Sequence, residues 1–160
     1  LVGFLYSLDL TNPYIGNDSN EEKVRINTNK NNWDALVIYF LEKADCLIVK
    51  YWPEDLNISE DQQVSTKAYR LLNPYKFDDK PIDQGMHASF YKIDESMKKI
   101  LLNTKSTDIP TDVFDFQLLK KGEVLLHSFN NGSSLFFNAT KNELNDLLKN
   151  IDSEFISSVN

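Results

Sequence analysis

The chain of 160 residues carries 24 Asp and Glu against 17 Lys and Arg, a formal charge of −7, which argues against nucleic acid or an anionic membrane surface as the main partner, since either would repel it. A hydrophobic content of 41% with 12% aromatics belongs to a folded globular protein rather than a disordered tail, and the length suits one domain, 1–160, that buries roughly 70% of the surface of its unfolded form. Apolar runs such as Leu36–Leu41 fall far short of the about 20 residues of a membrane span, and the lone cysteine, Cys46, cannot form a disulfide within the chain, so a soluble protein of a reducing, cytoplasmic compartment is expected.

Residues 1–10 alternate, with Val2, Phe4, Tyr6, Leu8 and Leu10 on one side, and read as a strand; they show no basic n-region or small-residue cleavage site of a signal peptide. Residues 11–31 hold Pro13, Gly16 and many asparagines, the composition of a mobile loop. Asn32 is placed to cap a helix whose Trp33, Leu36, Val37, Phe40, Leu41 and Ala44 share one stripe. The near-continuous apolar run Cys46–Trp52, stopped by Pro53, predicts a central strand covered on both faces. Ser59 and Gln62 form a capping-box pair before a helix with Val64, Ala68, Leu71 and Leu72, closed by Pro74. Residues 73–85 read as an acidic loop, Met86–Tyr91 as a short strand, Asp94 as the cap of a helix with Met97, Ile100 and Leu101 inside, and residues 103–112 as a polar linker.

The closing unit is the most legible. Val113–Leu119, Val124–Phe129 and Ser134–Ala139 are apolar runs separated by Lys121-Gly122 and Asn131-Gly132, two hairpin signals. Asn131 and Gly132 suit a two-residue type I′ turn, which sets Asn130 opposite Ser133 and His127 opposite Phe136. For the first hairpin a two-residue loop mixes the faces. A three-residue loop closed by Gly122 as a bulge instead collects Phe114, Phe116, Leu118, Val124, Leu126, Leu135, Phe137 and Ala139 on one face, so that register is preferred. The other face then holds Asp115, Gln117, Leu119, Leu125, His127, Phe129 and Phe136, with Asp115 directly across from His127. Thr140 and Glu143 form a T-x-x-E capping box, followed by a stripe of Leu144, Leu147, Leu148, Ile151 and Phe155. Strands gathered at the end of the chain after helix and strand alternation predict an α+β fold with a mainly antiparallel sheet and helices on at least one face.

Chemistry-bearing motifs are few. Two histidines and one cysteine give no zinc spacing, Asp78, Asp79 and Asp83 lack the order of a calcium loop, and none of the five glycines stands in a phosphate-cradling pattern, so no metal or cofactor is expected. The pair Asp115 and His127 has the makeup of an oriented general base, which motivates an alternative reading as a small hydrolase or transferase, but Ser128 points to the opposite face, and Cys46 could join as nucleophile only if its strand turned it that way. Two surfaces qualify for binding a protein: the acidic side chains Glu54, Asp55, Glu60, Asp61, Asp78, Asp79 and Asp83, or the aromatic sheet face of Phe129 and Phe136 rimmed by Asp115 and His127. Slightly more weight falls on the acidic loops.

The acidic, Asn- and Lys-rich composition and the closing strand, strand, helix unit LLHSFNNGSSLFFNATKNELNDLLKN (residues 125–150) resemble bacterial polymorphic-toxin immunity proteins, including those of contact-dependent growth inhibition. The resemblance spans residues 113–151 in pattern. It implies a cytoplasmic, non-catalytic protein that binds and blocks a cognate basic toxin, often a nuclease, and it transfers no functional residue. A structural subunit of a larger assembly is the further alternative.

Overall fold

A run as apolar as Cys46–Tyr51 calls for neighbours on both edges, and it lies inside the sheet with a paired strand on each side. The computed structural model describes residues 22–57, 67–105 and 109–159. In chain order these form β1 (Val24–Thr28), α1 (Trp33–Leu41), β2 (Cys46–Tyr51), α2 (Lys67–Leu72), β3 (Lys76–Pro81), β4 (His87–Lys92), α3 (Glu95–Leu102), the single turn α4 (Ile109–Asp112), β5 (Asp115–Lys120), β6 (Glu123–Phe129), β7 (Ser134–Ala139), α5 (Lys141–Leu147) and β8 (Ser158–Val159). The fold is α+β: the strands pair antiparallel in one sheet of order β3-β4-β2-β5-β6-β7-β1-β8. No described helix is long and apolar enough to cross a membrane.

All five described α-helices contribute to one core, and they meet the same face of the sheet. Trp33, Leu36, Val37, Phe40 and Leu41 of α1, Ala68 and Leu72 of α2, Met97 and Leu101 of α3, Ile109 of α4 and Leu147 of α5 pack with Leu47, Val49, Phe116, Leu118, Leu126, Leu135 and Phe137 of the strands. Rings interlock at the centre, with Trp33 edge-on to Phe116 at 5.2 Å and Phe40 tilted on Phe137 at 5.5 Å. Each large side chain so enclosed contributes about 1.5–3 kcal/mol relative to exposure. The second face of the sheet carries no described helix. Consequently β2 is not covered on both faces as its apolar run predicts: Leu47, Val49 and Tyr51 are buried while Cys46, Ile48 and Lys50 are half-buried.

Polar side chains inside this layer are used as ties. Asn32 stands at the N-cap position of α1, yet its side chain does not cap the helix; it donates to Thr28 Oγ1 (2.9 Å) and to the Asp152 carbonyl (3.0 Å) and accepts from the Asp152 amide (2.8 Å), fastening the C-terminal segment to β1. Trp33 Nε1 donates to Thr104 Oγ1, which donates to the Leu101 carbonyl. The expected caps of the later helices form: Asp94 accepts from the Met97 amide, and Thr140 and Glu143 make the reciprocal box.

Several expectations are corrected. The described part of the 11–31 loop contains β1, because Val24, Ile26 and Thr28 alternate and find β7 as a partner; composition hid this alternation. Residues 73–85 contain β3, a strand with almost no apolar pattern because it lies at the sheet edge, where Lys76, Asp78, Asp79 and Lys80 deter further pairing. The 103–112 linker ends in α4, whose Ile109 and Pro110 are buried. Helix α5 stops at Leu147; Ile151 is buried, but Leu148 is 42% exposed and Phe155 lies in a separate 3-10 turn, so the long stripe is broken. The expected strand in 1–10, the Ser59/Gln62 capping box and the acidic pair Glu60 and Asp61 lie outside the described residues.

The second hairpin has the expected register, His127 opposite Phe136, with Asn131 and Gly132 at φ 56° and 80°. The first does not. Its turn is the two-residue Lys121-Gly122, both at positive φ, with Lys120 opposite Glu123. Leu119 then faces Val124 and Leu118 faces Leu126, so Leu125 is an extra residue that restores the alternation two positions on. The core face therefore keeps Phe116, Leu118, Leu126, Leu135 and Phe137 as predicted, but Asp115 faces Phe129 and His127 faces Gln117. Val124 is left exposed, and Phe114, just outside β5, packs with Phe129 of the other face.

Candidate protein-binding site

On the sheet face without described helices, alternation sets Arg25, Phe136, His127, Phe129, Gln117, Asp115, Ile48, Lys50 and Phe90 outward, as the paired registers require. Rings run across it in a row: Trp52 to Phe114 at 4.7 Å, Phe114 to Phe129 at 5.2 Å, then His127 at 6.0 Å from both Phe129 and Phe136, with the Arg25 guanidinium 4.3 Å above Phe136. Centroid distances of this size are those of edge-to-face attraction. Phe129 is 39% exposed, whereas Asp115 in the middle of the face is only 5% exposed.

Asp115 is fully engaged. His127 Nε2 lies 3.0 Å from its Oδ2 and Gln117 Nε2 donates to Oδ1 at 3.1 Å. The two residues predicted to face one another are thus diagonal neighbours, two positions apart in register, still on one face and within hydrogen-bond reach. Such a dyad orients an imidazole, but a hydrolytic site also needs a nucleophile. Ser128 is buried on the core face with its hydroxyl unpartnered. The Cys46 thiol is pushed up by burial and by the Asp45 carboxylate, the reverse of an activated nucleophile. Among the described residues no group of three or more His, Cys, Asp or Glu is arranged to hold a metal ion.

The acidic loop set divides. Asp78 pairs with Lys80 at 3.4 Å. Asp79 is turned to the helix side of the sheet, where Tyr51 Oη (2.5 Å) and Ser89 Oγ (2.6 Å) donate to Oδ2, His87 Nδ1 lies 2.7 Å from Oδ1, and Lys76 is 3.7 Å away. Burial by itself would raise the Asp79 pKa, but hydrogen bonds from Ser89, Tyr51 and His87 together with the Lys76 ammonium outweigh it and hold the carboxyl at about 2. These two aspartates are therefore compensated and offer little free charge. Glu54 and Asp55 stand in the 3-10 turn that starts at Pro53, directly after Trp52, and Asp83 opens the exposed turn between β3 and β4.

That turn and the ring row meet. Trp52 Nε1 donates to the Gln84 carbonyl at 3.3 Å, and Gln84 and Gly85 both adopt positive φ to fold the chain back. Between them lies a groove of about 570 Å³ walled by Trp52, Phe114 and Phe129, with Asp83 on its lip and Lys50 and Asp115 also lining it. Of the two surfaces weighed as rivals in the sequence, only Asp83 of the acidic set and Phe129 and Asp115 of the sheet face meet in this groove. Phe136 lies beyond it, in a second hollow of about 200 Å³ with Arg25 and His127. Sequence reasoning missed Trp52, Phe114 and Lys50. The signal for Trp52 was its place between an apolar strand and Pro53, where alternation turns it away from the core.

No protein-family model, curated protein or solved structure matches the chain.

Proposed function

We propose that this protein is a non-catalytic binding protein for a basic protein partner, and specifically an immunity protein that neutralises a cognate toxin domain. The observation that carries the reading is the groove in which the aromatic wall of Trp52, Phe114 and Phe129 meets the exposed Asp83 on the sheet face free of described helices. Aromatic residues supply the desolvated centre of an interface, and a chain charge of −7 accelerates encounter with a basic partner by roughly 10- to 1,000-fold at low salt. The Asp115–His127 dyad supports a hydrolase less well, because neither Ser128 nor Cys46 is placed or activated as its nucleophile.

The test is neutralisation. The protein is used to capture its partner from native cells, the partner's toxicity is measured in a heterologous host, and co-expression of this chain is expected to restore growth; a rise in salt from 50 to 500 mM should slow association. Capture of a basic toxic protein whose killing persists despite binding would refute the immunity reading. Turnover of a small substrate that is lost in His127→Ala would replace it with the enzymatic one.

A further inference from the structure

We infer that the groove between Trp52, Phe114 and Phe129 receives an arginine-bearing loop of the basic partner, with the guanidinium against Trp52 and the Asp83 carboxylate. This rests on the binding reading above and specifies its contact. A guanidinium combines a weakly hydrated planar cation with an apolar stem, so it is favoured where aromatic faces and a carboxylate lie side by side. Here Trp52 and Phe129 provide the faces, and Asp83, exposed at the lip, provides the charge. The hydrogen bond from Trp52 to Gln84 holds the indole beside that lip before any partner arrives, which reduces the ordering lost on binding.

Lys50 fixes how far the cation enters. It is half-buried in the groove with no ion pair or hydrogen bond of its ammonium among the described residues. Its cross-strand neighbour Asp115 makes no ion pair with it; the Asp115 carboxylate is directed instead to His127 and Gln117. The inner end of the groove thus repels a second cation and suits main-chain carbonyls of the entering loop, while the outer end attracts the guanidinium. An anionic occupant would show the opposite dependence on the same two residues.

The experiment titrates the full chain with nona-arginine, nona-lysine and nona-glutamate peptides and reads tryptophan emission. Trp33 is fully buried, so a binding-linked change reports Trp52 and should vanish in Trp52→Phe. Nona-arginine is expected to bind more tightly than nona-lysine. Asp83→Asn should weaken it by about two- to fivefold, the scale of an exposed charge pair, and Lys50→Met should tighten it by a similar factor. Glu95→Gln, which removes the same charge on α3 on the helix side, should change it by less than about 1.5-fold. Equal losses from Asp83→Asn and Glu95→Gln, weaker binding in Lys50→Met, preference for nona-glutamate, or self-association that occupies the groove would each overturn the inference. With the captured partner, full affinity in a Trp52→Ala/Asp83→Asn double variant overturns the groove while leaving the binding function standing; the absence of any basic partner removes both.

Discussion

Gly132 and Gly122 close the two hairpins of the terminal unit with nearly the same backbone, φ 80° and 82°, but in different surroundings. A Cβ at Gly122 would meet nothing within 4 Å, whereas one at Gly132 would come within 3.1 Å of the side chains of Lys30 and Pro110 and 3.2 Å of the Pro110 carbonyl. Replacing either by alanine places a Cβ in the left-handed region at about 1–2 kcal/mol, offset by about 0.4–1 kcal/mol from the reduced freedom of the unfolded chain. Gly122→Ala should therefore destabilise by about 0.5–1 kcal/mol. Gly132→Ala adds the crowding of a closely packed site, about 1–3 kcal/mol, for a total of about 2–4 kcal/mol, because the turn is also held by the Lys30 amide on the Gly132 carbonyl at 2.9 Å and cannot back away. Urea unfolding of both variants, with unchanged slopes, gives the difference directly. Equal stabilities within about 0.5 kcal/mol would refute the close packing of this turn on α4 and with it the fixed position of Phe129 and Phe136.

Two further perturbations probe the polar groups. The Asp79 carboxyl, at about 2 in the folded state against an ordinary 3.8, contributes stability that is present above pH about 4 and lost as the pH falls towards 2; the shift corresponds to about 2 kcal/mol, reduced to about 1–2 kcal/mol by screening at a site with a quarter of the side chain exposed. Asp79→Asn should flatten the fall in urea stability between pH 5 and 3, and an unchanged slope would dismiss the carboxylate as its source. Ser128→Ala removes the one buried side-chain polar atom without a partner among the described residues, so the thermal midpoint should hold or rise, by up to about 1 kcal/mol of stability; a loss of more than about 1 kcal/mol would mean that the hydroxyl has a partner.

Local signals in the sequence determined what local physics controls. The stripe Trp33, Leu36, Val37, Phe40 and Leu41 can be satisfied only by a helix with one buried side, Asn131-Gly132 accepts the positive φ of a tight turn, and Thr140 with Glu143 closes its own box, so these features needed no distant partner to be read. The parity of the closing strands was legible too, because the core requires one apolar face. What the sequence could not decide is what depends on which surfaces become neighbours. β1 and β3 are strands because the edges of β7 and β4 lie open to them, and in β3 no apolar pattern announces this. Both the turn observed between β5 and β6 and the three-residue loop expected there preserve the same alternation, so hydrophobicity could not choose between registers two residues apart, and the Leu125 bulge settled it. Asp79 meets Tyr51, His87 and Ser89 only across three adjacent strands. Trp52, Asp83 and Phe129, far apart in the chain, line one groove only because the order β4-β2-β5-β6 carries the end of β2, the turn before β4 and the end of β6 to the same end of the sheet.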